Sequence, residues 1–381
     1  MLIQPSKSVP TSLPHGTQRL WNDSEMFTPS LGCAKCPDKG ICGGLAIESD
    51  LFDCLNFCCG NPSRCDVVCR NKPQEFAQRV REVNGFSLVN VPRADPLLVP
   101  ELPPLVPVVF HGNKRAMTFT GPEVFCLPMC KVVEARAAAV RFKNPQHLRD
   151  AFRLEPSAKV ILTGTATDPS LERWWSFGEC RVDAIRALQA LGISLVTTPN
   201  YSLFTDQPRW DDLHSMKRIA LVHQEFLKAG MPAALHVNAR TERDWDRWGE
   251  FIASRPEITH IAFEFGTGAG WAGRIQWHAE QLVKLRIAAD RPLHLIVRGG
   301  ITVLPRLFAI FDKVTLLETS IFHKTMRRKA AFQRSDGAVR WKHAPTAQDE
   351  ALDALLTHNW TVVSESHVRG RQARSSPRKA A

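Results

Sequence analysis

The run RVDAIRALQALGISLVTT, Arg181 to Thr198, passes from an amphipathic helical stretch, Arg181 to Leu191, into a short β-branched strand, Ile193 to Thr197. Strands of a parallel sheet read as nearly continuous apolar runs because helices cover their outer face, so a helix feeding such a strand is half of the repeating unit of that sheet. The unit recurs on both sides of this run. Strands are expected at Val106 to Phe110, Ala138 to Phe142, Val160 to Gly164, Ala233 to Val237, Ile258 to Phe265, His294 to Val297 and Val314 to Leu317. Helices are expected at Asp211 to Ala229, Arg243 to Ser254, Trp271 to Ala289 and Val303 to Phe311. That many strand and helix pairs favours an α/β fold, a parallel (β/α)8-type barrel, over an open doubly wound sheet.

The chain is longer than one barrel needs: 381 residues with 44% hydrophobic content leave room for a second, smaller unit. Residues 1–30 are polar, rich in Pro and Ser, and expected to be a disordered arm. A cysteine-rich module follows over 31–90, then a proline-rich linker over 91–107, the barrel over 108–345, a helix and strand over 346–365, and a basic, disordered tail over 366–381. The start lacks a secretory signal and no long uncharged stretch occurs, so a cytoplasmic protein that avoids membranes is expected.

Eight of the eleven cysteines, Cys33, Cys36, Cys42, Cys54, Cys58, Cys59, Cys65 and Cys69, fall in the module. Thiols kept reduced and packed this closely supply enough thiolates for one or two four-ligand sites, holding an iron-sulfur cluster or zinc. Such a metal would chiefly fold a segment with few apolar residues of its own. Cys126 and Cys130 lack the third cysteine of a radical-type cluster motif and read as packing residues.

The C-terminal ends of barrel strands converge on one face, where catalytic groups gather. Reading those ends gives a polar ring: His111, Lys114, Thr165, Asp168, Thr198, Asn200, His236, Asn238, Glu264, Arg298, Glu318, His323 and Lys324. The net charge of +11 favours a polyanionic partner, with DNA or RNA foremost.

The segment Leu293 to Ala344 resembles the closing part of the tRNA-guanine transglycosylase superfamily. Val297 to Gly300 match its glycine turn, Leu317-Glu318 its Phe-Asp, Lys324 its Arg, and Phe332 with Ser335-Asp336-Gly337 its hairpin. Upstream, Ile161 to Gly164, Thr198-Pro199-Asn200, His236 to Ala239 and Phe265 to Gly268 take the places of the family's other strand ends. The resemblance implies exchange or removal of a purine, or entry of a 7-deazapurine, at an N-glycosidic bond. In that reading Glu318 is the nucleophile and Asp168 handles protons. Asn200, His236, Asn238, Glu264 and Arg298 would line the substrate site, and Lys324 or Arg327 would grip phosphate. The sequence departs from the family at Glu318, in place of Asp, at Gly164, in place of a second Asp, and in having no cysteine after Cys180. Two other readings stay open: a nucleic-acid-binding barrel that has lost catalysis, and a metal-dependent enzyme acting on a small molecule.

Overall fold

The computed structural model describes residues 79, 81–134, 136–203, 209–267, 274–347 and 349–375. The expected arm and all eight clustered cysteines lie outside the described residues, as do Gly268, Gly270 and Trp271. Eight parallel strands form one sheet: β1 (Leu105–Pro107), β2 (Val124–Pro128), β3 (Lys159–Thr163), β4 (Ile193–Thr197), β5 (Ala233–His236), β6 (His260–Glu264), β7 (His294–Arg298) and β8 (Lys313–Glu318). Each pairs with the next in chain order, and β8 returns to β1 with Val106 opposite Leu317. A single parallel bridge, Val108 to Cys126, joins β1 to β2, where Val109 N–H donates to Cys126 O at 2.9 Å. The sheet is a (β/α)8 barrel, nearly closed at this seam.

Around it lie α1 (Met129–Val132), α2 (Pro145–Phe152), α3 (Asp168–Ser176), α4 (Arg181–Ala190), α5 (Arg209–Lys228), α6 (Glu242–Ala253), α7 (Arg274–Ala289), α8 (Leu304–Ile310) and α9 (Ser320–Met326). Their starts follow local chemistry. Asn144 Oδ1 accepts from His147 N–H at 2.8 Å ahead of Pro145, and Thr241 with Asp244 closes a reciprocal capping box on α6. After the barrel come an antiparallel hairpin, β9 (Lys329–Gln333) and β10 (Val339–His343), and a long helix, α10 (Asp353–Ser375).

Because side chains alternate across a strand, each strand feeds two cores. The bore holds Val106, Val108, Val124, Cys126, Ile161, Leu195, Ala234, Ala262, Ile296 and Leu317. The residues between them, among them Phe125, Leu162, Val196, Leu235, Phe263, Val297 and Leu316, pack against the helices.

Three expectations need correction. The second strand is Val124–Pro128, while Ala138 to Phe142 makes only an isolated bridge, Val133 to Val140. The proline-rich stretch is not a free connector: Arg255 donates to the carbonyls of Val91 and Pro92, Arg93 pairs with Glu257 at 3.1 Å, and its last residues, Leu105–Pro107, are β1. Finally, one helix, α10, spans the region read as a helix and strand and continues into the region read as a disordered tail. Among the described residues no helix is long and apolar enough to cross a membrane.

Candidate active site

Counting outward along each bore-facing row brings the polar strand tips to one mouth. Ile161 leads to Thr163, Leu195 to Thr197, Ala234 to His236, Ala262 to Glu264 and Ile296 to Arg298. Glu264 and Arg298 are register partners on β6 and β7, and the guanidinium Nε of Arg298 pairs with a Glu264 carboxylate oxygen. Gly266 N–H donates to Glu264 Oε1 at 2.5 Å. Burial pushes the Glu264 carboxyl above the usual carboxylate range despite these partners. A Cβ on Gly266 would stand 2.5 Å from Glu264 Oε1, so the turn after β6 needs glycine to let the carboxyl fold back onto its own backbone.

His236 is 3% exposed, and neither ring nitrogen has a hydrogen-bond partner. Burial and then the charge of Arg298 push it down to about 3, so the ring is neutral and offers one donor and one acceptor. Asn200 Oδ1 is also buried without a partner. Asn238 is tied by side chain and backbone: its side-chain amide donates to Tyr201 O at 2.9 Å and its backbone carbonyl accepts from Trp248 Nε1 at 2.8 Å. It holds the β5 turn. Asp168 lies exposed in the first turn of α3, where Ser202 Oγ donates to its Oδ1 at 2.5 Å.

Glu318, expected as the nucleophile, points the other way. Leu317 occupies the bore, so Glu318 shares the outer face of β8 with Leu316. It is 6% exposed and lines an open cleft of about 720 Å³ behind the barrel, with Leu304, Phe308 and Trp341. Its Oε1 accepts from Ser320 N–H at 2.5 Å and from the Ser320 hydroxyl, which fastens the start of α9. Lys324 also leaves the mouth, its Nζ lying 6.0 Å from the Trp341 ring centroid on the hairpin. Gly164 cannot be exchanged for a carboxylate, since a Cβ there would meet Thr197 O and the Thr198 carbonyl carbon at 2.5 Å.

On the β1 and β8 side, the His323 ring packs on Phe110 at 4.4 Å and the His111 ring meets Phe322 edge-on at 4.9 Å. Arg327 is exposed one turn beyond His323. Both histidines are pushed down first by burial and then by neighbouring cations: Arg115, Lys131 and Lys114 for His111, and Arg327 and Arg298 for His323. This rim is electropositive. Among the described residues no three His, Cys, Asp or Glu side chains gather as a metal site; Cys126 is buried in the bore and its thiol is pushed up by burial.

The structure thus joins Glu264, Arg298, His236 and Asn200 at one mouth, with Asp168, His323 and Arg327 on the rim. Thr163 and Thr197 belong to the same ring, which the sequence reading places further along the chain, at Thr165 and Thr198. The period-two count from Leu195 would have found Thr197.

No family model matches the chain, and no curated protein matches it. Among solved structures it is similar to tryptophan synthase subunit alpha from Legionella pneumophila str. Paris, at 11% identity over 77% of this chain and 98% of that one, with a TM-score of 0.36. It is also similar to an HpcH/Hpal aldolase/citrate lyase family protein from Burkholderia cenocepacia J2315, at 12% identity over 66% and 95%, with a TM-score of 0.29.

Proposed function

We propose that the mouth of the barrel is the site of an enzyme that exchanges or removes a purine base in DNA or RNA, with Glu264 as its acid–base group. The observation that carries this reading is the company Glu264 keeps: a buried carboxyl with a raised proton affinity, paired with Arg298, in a ring with a neutral His236 and an Asn200 whose polar atoms are unspent. Unspent donors and acceptors in a buried ring suit the edge of a heterocycle, which carries both kinds of group. A carboxyl whose proton affinity is raised by burial suits delivery of a proton to a departing purine.

Attack on the sugar carbon needs a second carboxylate. Glu318 faces away, and Asp168, exposed on the rim beside Ser202, takes that role in this reading. Arg298 holds Glu264 in place and supplies positive charge as the bond breaks. The wider chemistry of the clustered cysteines, iron-sulfur or zinc, is assigned no step.

The test is incorporation of labelled guanine or a labelled 7-deazapurine into a guanine-containing oligonucleotide, run beside a thermal-shift assay with the free bases. Incorporation, or release of guanine, is expected for the full-length protein. It should fall by at least about a hundredfold in Glu264→Gln and Asp168→Asn, the scale of losing a general acid or a nucleophile, and persist in Glu318→Gln. Absence of both a thermal response to every purine and exchange on DNA and RNA would sink the reading. Activity lost in Glu318→Gln but kept in Glu264→Gln would do the same.

A further inference from the structure

The stretch from Thr319 to Gln348 contains seven lysines and arginines and a single acid, Asp336. Most of this stretch is α9 and the β9–β10 hairpin. Register pairs Arg340 with Phe332 and Lys342 with Ala330, so these four share one face of the two-stranded sheet. Phe332 is 37% exposed, and Lys342 Nζ lies 6.0 Å from its ring centroid. The opposite face is occupied: Ala331 N–H donates to Asn359 Oδ1 at 2.6 Å, Asn359 being a residue of α10, and Trp341 lies under Lys324.

Two of the cations are spent on the hairpin itself. Arg328 Nε donates to Thr346 Oγ1 at 2.7 Å, and Arg334 lies 3.8 Å from Asp336, whose carboxylate also accepts from Ala338 N–H in the turn. Arg327, Arg340 and Lys342 are exposed and have no acidic partner among the described residues. Arg327 connects this face to the mouth: it closes α9, the helix whose His323 packs on Phe110 at the rim.

We propose that the outward face of the β9–β10 hairpin, Phe332, Arg340 and Lys342, with Arg327 at its inner end, is a docking track for a single-stranded nucleic acid. The cations would meet successive phosphates and Phe332 would stack on a base. Cations interleaved with an accessible ring are the pattern that tracks a sugar-phosphate chain without reading its sequence. A lipid surface fits less well, because an anionic membrane is held by cations plus a run of apolar side chains that insert, and Phe332 stands alone on this face. What the bound strand is delivered to rests on the base-handling reading; that it is bound at all rests on the hairpin.

The experiment measures binding of a fluorescent single-stranded oligonucleotide, as DNA and as RNA, to the full-length protein by anisotropy between about 50 and 200 mM salt. Arg340→Glu/Lys342→Glu is expected to weaken binding by about tenfold or more and to flatten the slope of log affinity against log salt by about 1.4, two contacts at about 0.7 each. Phe332→Ala should weaken binding roughly fivefold or more and leave the salt slope unchanged, as loss of a stacking platform does. All three side chains are exposed, so both variants should melt with the parent.

Unchanged affinity and slope in the double-charge variant would overturn the proposal. So would binding to phosphatidylserine vesicles that this variant abolishes while the oligonucleotide is not bound. Hairpin-dependent binding without base exchange would retain the track and discard the mouth chemistry, and purine binding at the mouth without hairpin-dependent strand binding would do the reverse.

Discussion

Glu318 is a carboxyl held by the first residues of a helix and walled in by apolar side chains. Its oxygen accepts from the Ser320 N–H and hydroxyl, yet burial outweighs those bonds and pushes its proton affinity up. A carboxyl whose folded-state affinity is raised favours the folded state when protonated and opposes it once ionised, so its contribution is lost as pH rises above the usual carboxylate range. Glu318→Gln keeps an acceptor oxygen for Ser320 and removes the ionisation. It should therefore be as stable as the parent or more so at neutral pH, by on the order of 1 kcal/mol, with the difference shrinking as pH falls toward the carboxylate range. Parallel urea titrations at neutral and mildly acidic pH test this, and a gain that grows on acidification would contradict it. The sequence hid the direction of this side chain because Val314, Leu316 and Leu317 are all apolar and both faces of β8 are buried. Thr315 was the usable marker. It faces the bore, where His294 Nε2 and its Oγ1 lie 2.9 Å apart, and Glu318, three residues on, must face outward.

At the level of elements, the turns after β6 and β7 lock together. Gly299 and Gly300 have φ of +77° and +70°, and a Cβ on Gly300 would lie 2.5 Å from Phe265 Cδ2. Gly300→Ala combines a left-handed backbone with overpacking of a buried ring, and should cost roughly 2–4 kcal/mol. The midpoint of denaturant unfolding reports it, and a shift no larger than that of an exposed alanine substitution would show that the turns are not coupled. Such glycine turns, like the helix and strand of Arg181 to Thr198, were legible because each follows local rules. What escaped was set by tertiary contact. Val124–Pro128 is a short apolar run before a helix of four residues, and its identity as a strand comes from its register with Lys159–Thr163. Ala138 to Phe142 has a strand-like pattern and no neighbouring strand to complete it. The helix that runs to Ser375 grows from an anchored base, where Leu356 is buried and Trp360 and Val363 pack on the core, a tertiary contact that composition does not display.

The whole molecule carries an unusual load of neutral imidazole. His214, His236 and His260 are each pushed down to about 3, and His223, His278 and His294 to about 4, in every case first by burial. They are spread around the barrel: His236 at the mouth, His260 and His294 ring to ring at 4.7 Å at the strand starts, and His214, His223 and His278 on the helices. For a group whose folded value is lowered, stability is fully present above the unfolded value near 6.5 and is lost as pH falls toward the folded value. Below about 6.5 the unfolded chain takes up a proton at each site and the folded chain does not. Each such group then removes about 1.4 kcal/mol per pH unit. With all of them acting together, a domain stable by about 5–15 kcal/mol has its whole margin consumed within about one to two pH units. Cooperative unfolding is therefore expected with a midpoint between about pH 4.5 and 5.5, followed by tryptophan fluorescence and far-ultraviolet circular dichroism. His260→Gln/His294→Gln should move that midpoint downward, since it deletes two of the sites that draw protons to the unfolded chain. A barrel that keeps its native signals unchanged at pH 4 would mean that these rings already find water or partners when charged, and that the bore is less dry than its lining requires.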